Sequence, residues 1–304
     1  MDRKIARRAL LQGAASMAGA AMAGAAPWRA SRAEGAEIDV DVELIIAVDV
    51  SGSIDPEEAQ LQRNGYIDAF TDARILRAIK SGPRGRIAVA YVEWADNFYQ
   101  SLIADWVEID GEDSAGKFAA HLRKVPINIA QRTSISGAIN YCLPLFDRNN
   151  FKGTRQVIDI SGDGPNNDGI LVDVARDAAL ARKITINGLP IINDRPNRFG
   201  FPNLPDLDDY YEGCVIGGRG AFVVVARDFA DFATAVKQKL FLEVSGITAE
   251  RYRDVARAEG FIHPTYWIDG TRRKPGVRPA GYDQGCDVGE RQSREFWRRR
   301  NFEQ

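Results

Sequence analysis

Five oxygen-bearing side chains stand out for their type and spacing. Asp49, Ser51 and Ser53 alternate in Asp49-Val50-Ser51-Gly52-Ser53; Thr133 lies in Gln131-Arg132-Thr133-Ser134; Asp163 lies in Ser161-Gly162-Asp163-Gly164. Two carboxylates and three hydroxyls, with no imidazole or thiol among them, suit a hard divalent cation, Mg2+, Mn2+ or Ca2+, and do not suit Zn2+ or Cu2+. Alternation in the first run points three side chains to one side of an extended turn, and Gly52 lets the backbone bend closely around an ion. An ion held this way, with water completing its shell, keeps a position open for a ligand.

For these residues to meet, the elements before them must end at one edge. Val42 to Val48 is a short apolar run of the kind a buried parallel strand needs, and it stops at Asp49. Pro56 opens a helical pattern through Ala73 with Asp55 as its N-cap. Strands are expected over Arg86 to Trp94, Ser101 to Ile109, Arg155 to Ile160, Ile184 to Pro190 and Ala221 to Val225. Helices are expected over Ser114 to Lys124, Ser134 to Phe146, Val172 to Arg182 and Phe229 to Phe241, with a short helical turn over Asp206 to Tyr211. Strands alternating with helices predict an α/β fold: a doubly wound, mostly parallel central sheet with helices on both faces and a ligand site at the carboxyl ends of its strands. No repeat of fixed period is present.

At this point the sequence resembles a von Willebrand factor A domain. That family's metal-ion-dependent adhesion site is written Asp-x-Ser-x-Ser, then a Thr, then an Asp-Gly, which here falls on Asp49, Ser51, Ser53, Thr133 and Asp163. The likeness covers about Asp41 to Glu243. Ile160 to Gly169 and Cys214 to Gly218 look like an exported bacterial branch of these domains. The resemblance implies a divalent cation, Mg2+ first, coordinated by both serines, with a ligand carboxylate completing its shell. Asn166 and Asn167, beyond the core motif, are expected to shape a turn or add oxygens to the rim. Glu93 and Asp96, after the second strand, could reach the same rim as exposed loop carboxylates.

Other motifs carry less. His121 and His263 have no metal-ligand spacing and are expected to be solvated or locally bonded. Ser51 and Ser53 lack a Gly-x-Ser-x-Gly elbow and a nearby His base, which argues against a covalent hydrolase. Gly162-x-Gly164 does not complete a dinucleotide loop, because Asn167 stands at the third glycine's place. Gly217-Gly218-x-Gly220 precedes a strand and reads as a tight turn.

The chain has 304 residues, with 40 Lys plus Arg against 42 Asp plus Glu and 45% hydrophobic residues. That is a globular composition, not a disordered or fibrous one. Residues 1–33 hold six basic residues and one acid, so removing them takes the formal charge from −2 to −7. An acidic body argues against nucleic acid as a partner. Met1 to Arg8 is basic, Ala9 to Ala26 is mildly apolar, and Ser31-Arg32-Ala33 offers a cleavage site, the pattern of a signal peptide. Ala6-Arg7-Arg8-Ala9-Leu10-Leu11-Gln12 resembles the twin-arginine motif. No later segment is long and apolar enough to span a bilayer, so a periplasmic or secreted protein is expected. In that compartment Cys142, Cys214 and Cys286 allow three single pairings, and a buried unpaired Cys142 is equally consistent.

Residues 244–304 read as a C-terminal extension with one more helix over Thr248 to Ala258 and a solvated basic end, Arg298 to Arg300. The expected function is that of a non-enzymatic binding module in which the cation captures an acidic residue of a partner protein. Partner choice would rest on the loops Trp94 to Tyr99 and Asn193 to Tyr211. The alternatives are a metal-assisted hydrolase with Glu93 or Asp96 as base, and a purely structural cation site.

Overall fold

The computed structural model describes residues 37–192, 203–229, 231–246, 267–269 and 282–302. The strands in chain order are β1 (Ile38–Val40), β2 (Glu43–Asp49), β3 (Ile87–Trp94), β4 (Gln100–Ile109), β5 (Phe151–Gly153), β6 (Gln156–Gly162), β7 (Thr185–Pro190), β8 (Phe222–Val224) and β9 (Trp267–Asp269). The helices are α1 (Pro56–Phe70), α2 (Ala73–Lys80), α3 (Glu112–Lys124), α4 (Ile135–Cys142), α5 (Val172–Ala181), α6 (Leu207–Tyr210), α7 (Phe232–Ser245) and α8 (Val288–Phe302). The proposed signal segment, the helix expected over Thr248 to Ala258, His263 and residues 193–202 of the expected partner loop lie outside the described residues.

Seven strands form one sheet in the order β4-β3-β2-β6-β7-β8-β9. The inner pairs β3/β2, β2/β6, β6/β7 and β7/β8 are parallel, and the edge strands β4 and β9 run antiparallel. β2 is buried along its whole length, and its alternate residues feed two cores. Leu44, Ile46 and Val48 pack with Tyr66, Phe70, Ile79, Phe118 and Phe232 on one face. Ile45 and Ala47 pack with Trp94, Ile135, Ile139, Ala175 and Tyr211 on the other. A strand covered on both faces has no reason to alternate polar and apolar residues, hence the continuous apolar run in the sequence. The chain leaves β2 in one direction to β3 and later enters β6 on its other side. The carboxyl ends of β2 and β6 therefore flank the topological switch point, where doubly wound sheets open a crevice.

Two of the expected helices end early. The one expected over Pro56 to Ala73 stops at Phe70, and α2, which has no counterpart among the expected helices, starts at Ala73, where Asp72 stands extended and its carboxylate caps the new helix by accepting the Arg74 N–H at 2.9 Å. The pattern over Ser134 to Phe146 is α4 followed by a 3-10 turn, Leu143–Asp147, because Pro144 cannot donate to the α-helical ladder. The separate parallel pair β1/β5, three residues each, has no counterpart among the expected strands. Among the described residues, no helix is long and apolar enough to cross a membrane.

Candidate metal centre and the C-terminal helix beside it

Strand β2 delivers Asp49 to the crevice with no exposed surface, and the turn after it places Ser51 and Ser53. The turn is held at both ends. Val50 N–H continues the sheet to Trp94 O at 2.8 Å, and Ile54 N–H closes onto Ser51 O at 3.0 Å. A reciprocal capping box then starts α1: Asp55 accepts from Glu58 N–H at 2.8 Å and Glu58 accepts from Asp55 N–H at 3.0 Å. The Thr133 loop is tied to the same strand end through Ala130 N–H on Val50 O at 3.0 Å. Arg132, just before Thr133, adopts a left-handed backbone, φ 61°, which is uncommon for a side chain of its size.

All five expected residues meet. Ser51 Oγ lies 3.0 Å from Ser53 Oγ, Ser53 Oγ donates to Asp163 Oδ1 at 2.6 Å, and Thr133 Oγ1 is 3.5 Å from Ser51 Oγ. Asp49 Oδ1 accepts Ser51 N–H at 2.7 Å, while its Oδ2 is buried with no hydrogen-bond partner. Burial, then the charge of Asp163, raises the Asp49 carboxyl well above the usual carboxylate range. Burial pushes the Asp163 carboxyl up to about 6. Two buried carboxylates, one of them raised by the other's charge and holding an unused oxygen, suit a cation. Among the described residues there is no cluster of three or more His, Cys, Asp or Glu suited to a metal, so any ion here must draw on the hydroxyls.

Asn166 and Asn167 do more than shape a turn. Asn167 Oδ1 accepts Thr133 N–H at 3.0 Å, and Asn167 N–H donates to Thr133 O at 2.8 Å, which locks the Thr133 loop to the Asp163 loop. Asn166 is fully buried. Its Oδ1 accepts Ser136 N–H at 2.9 Å, and its Nδ2 donates to Asp168 O at 3.2 Å, Ile170 O at 3.0 Å and Glu290 Oε1 at 2.7 Å. Asp168 adds contacts to Arg132 at 3.0 Å and to Asn97 N–H at 2.9 Å.

Glu93 is not an exposed loop carboxylate. It is 1% exposed and paired with Arg63, which also donates to the Leu122 and Val125 carbonyls. Burial raises its carboxyl, and the Arg63 bonds offset part of that. Asp96 accepts Phe98 N–H at 2.8 Å and shapes its own turn. Trp94, expected at a partner surface, is wholly buried because it ends β3 inside the second core. Phe98, 91% exposed, is the aromatic that loop presents. His121 is locally bonded to Ile103 O at 2.8 Å.

The residue set missing from the sequence reading is on the C-terminal side. Cys214 and Cys286 form a disulfide, Cys142 is buried and free, and α8 follows Cys286. Gly289 approaches the Asp163 loop so closely that a Cβ there would stand 2.0 Å from Asn166 O. Ser51, Ser53, Thr133, Asp163, Ser293, Phe296, Trp297 and Arg300 all line one cleft of about 300 Å³. The signals available in the sequence were Asn166-Asn167 after the Asp-Gly and a cysteine placed before a helix containing Gly289.

Strand order, helical layers and switch-point crevice define a von Willebrand factor A-like α/β fold. Within that class the chain belongs to the family described as "Protein of unknown function (DUF1194)", whose profile matches residues 39–248. Solved structures similar to it include proximal thread matrix protein 1 from the mussel byssus, at 14% identity and TM-score 0.48, covering 69% of this chain and 49% of that one. Another structure of that protein is described as having a zinc-occupied MIDAS motif. A von Willebrand factor type A protein from Catenulispora acidiphila matches at 14% identity and TM-score 0.47, covering 68% and 43%. The pilus adhesin SpaC from Lactobacillus rhamnosus GG matches at 10% identity and TM-score 0.48, covering 70% and 31%. The chain thus spans less than half the length of these structures. No curated protein matches the sequence.

Proposed function

We propose that this chain is an exported, metal-dependent protein-binding module and not an enzyme. Residues 1–33 serve as a twin-arginine signal, residues 41–243 as the binding domain and residues 244–304 as a C-terminal extension, with the mature protein in the periplasm or outside the cell. Asp49, Ser51, Ser53, Thr133 and Asp163 hold a divalent cation, Mg2+ before Mn2+ or Ca2+, which captures a carboxylate of a partner protein. The observation that carries this reading is the buried, unpartnered Asp49 Oδ2 behind a set of hydroxyl and carboxylate oxygens. Their separations of 2.6, 3.0 and 3.5 Å bracket the oxygen–oxygen edge of an octahedron, about 3.0 Å for ligands at the Mg2+ distance. The ion, when bound, supplies a concentrated positive charge with room for one more oxygen ligand. The protein's residues supply the geometry. The Cys214–Cys286 disulfide supports an oxidising compartment.

The test pairs metal binding with capture. Calorimetry of the mature chain with Mg2+ should show one site, and EDTA should release any captured partner. Asp163→Ala should lose both while keeping the circular dichroism of the parent. Retained, EDTA-sensitive capture by Asp163→Ala would sink the reading.

A further inference from the structure

The metal-rim oxygens do not open onto a flat surface. They form the floor of a cleft of about 300 Å³ whose wall is α8. That volume is at the small end for ligand pockets, about 300–1,000 Å³, and admits a short stretch of chain but not the face of a folded domain. The wall is one helical stripe, since Gly289, Ser293, Phe296 and Arg300 recur at spacings of four, three and four. The first half of the stripe is anchored: Val288 and Gly289 are buried, Glu290 bonds Asn166, and Cys286 is disulfide-bonded to Cys214. The second half projects outward and presents Trp297, 45% exposed, packed edge-on to Phe296 at 5.4 Å, with Arg300 over the Phe296 ring at 5.5 Å. Across the floor stands Arg132. α8 itself carries five arginines against two glutamates.

We propose that this cleft binds an extended acidic segment of a partner chain, with α8 as a built-in half of the binding site. One carboxylate of the segment meets the cation, an adjacent apolar or aromatic side chain lies against Trp297 and Phe296, and a second acid faces Arg300. The charge pattern favours this occupant, because a cation at the floor together with Arg132 and Arg300 in the cleft lining place positive charge along the path an extended chain would follow. The aromatic pair gives the rigid, large-area contact on which short peptides depend for affinity. The inference rests on the cation reading above and adds the C-terminal helix as the element that sets partner choice.

The experiment is a calorimetric titration of the disulfide-intact mature chain, at saturating Mg2+, with the acetylated and amidated hexapeptide of sequence Gly-Glu-Phe-Asp-Gly-Gly. Glutarate serves as a free-acid control. Parent, Trp297→Ala and Arg300→Glu are compared, each first checked for an unchanged Mg2+-induced rise in melting temperature. Both substitutions are on the projecting half of α8, so the metal rim stays intact. The expected result is peptide binding by the parent, abolished by EDTA, weakened about tenfold by Trp297→Ala and about fivefold by Arg300→Glu, with glutarate at least tenfold weaker than the peptide. Peptide affinities of both variants within twofold of the parent would overturn the proposal. So would glutarate binding as tightly as the peptide, or no peptide binding by a parent that Mg2+ stabilises. A parent that Mg2+ neither binds nor stabilises removes the cation reading itself, and the present inference falls with it.

Discussion

Replacing Asp49 by asparagine separates two energies that the wild-type carboxylate combines. The side chain is fully buried, Oδ1 accepts Ser51 N–H at 2.7 Å, and Oδ2 has no partner. A buried, unsatisfied oxygen costs about 1–3 kcal/mol, and the nearby Asp163 charge adds to it. Asparagine keeps the size and the Oδ1 acceptor, removes the charge, and turns an amide donor toward the space around Gly162 and the Tyr211 hydroxyl, itself without a partner. In EDTA, therefore, Asp49→Asn should be at least as stable as the parent, and up to about 2 kcal/mol more so. Added cation should invert the order. The parent gains about 2.7 kcal/mol at a hundredfold excess over Kd. A domain of this size shifts by about 2–4 °C per kcal/mol, so the parent should rise by roughly 5–11 °C while the variant moves little. Calorimetric melts of both proteins, in EDTA and in saturating Mg2+, measure each arm. A variant several degrees less stable than the parent in EDTA would show that Oδ2 is satisfied in the fold. An equal Mg2+ shift in both proteins would remove Asp49 from the ion's shell.

Three further outcomes follow from groups away from the rim. Cys286→Ser opens a cross-link between residues 72 apart, worth about 4 kcal/mol in chain entropy, and should lower the denaturation midpoint by roughly 10 °C; an unchanged melt would mean that the bond adds nothing to the fold. Lys239, fully buried, pairs with Glu243 at 2.7 Å and with Asp159, so Lys239→Met should cost about 3–5 kcal/mol in urea unfolding by leaving two buried carboxylates, and a loss below about 1 kcal/mol would refute the pairing. Burial and the Glu243 charge push the Asp159 carboxyl up to about 7 against the pull of Lys239, so the folded state holds a proton that the unfolded chain releases. Its contribution is present at low pH and lost as pH rises through about 7, with a slope of at most about 1.4 kcal/mol per pH unit, and Asp159→Asn should flatten the fall in stability between pH 5 and pH 8. Parallel pH profiles for the two proteins would contradict it.

The central strands were legible because a strand buried on both faces must be apolar throughout and must end where polar side chains begin. Asp49 and Asp163 sit at two such ends, so their convergence followed from the doubly wound order. What escaped the sequence depends on distant or very local chemistry. α2 went unseen because Asp72, at the end of the expected helix, stops one helix and caps the start of the next, an effect of one carboxylate on one turn. β1 and β5 are three-residue strands whose pairing spans more than a hundred residues, with too few side chains to signal it. Glu93 looked like a loop carboxylate because its partner, Arg63, lies thirty residues earlier, on α1. The place of α8 beside the rim hinged on which of three cysteines paired, and composition cannot choose among them.

Asn166 gives the site an all-or-none character. A single buried amide simultaneously engages the start of α4, the backbone of its own loop and Glu290 of α8. An amide offers two donor hydrogens and one carbonyl oxygen, and here every one of them is committed. Lifting any one of these elements alone would strand a polar group away from water, at about 1–3 kcal/mol, while lifting them together would hydrate the whole set at once. The Thr133 loop, the Asp163 loop and the C-terminal helix are therefore wired as a single cooperative unit, and amide hydrogen exchange at Ser136 and within the first turn of α8 should proceed at one common opening free energy.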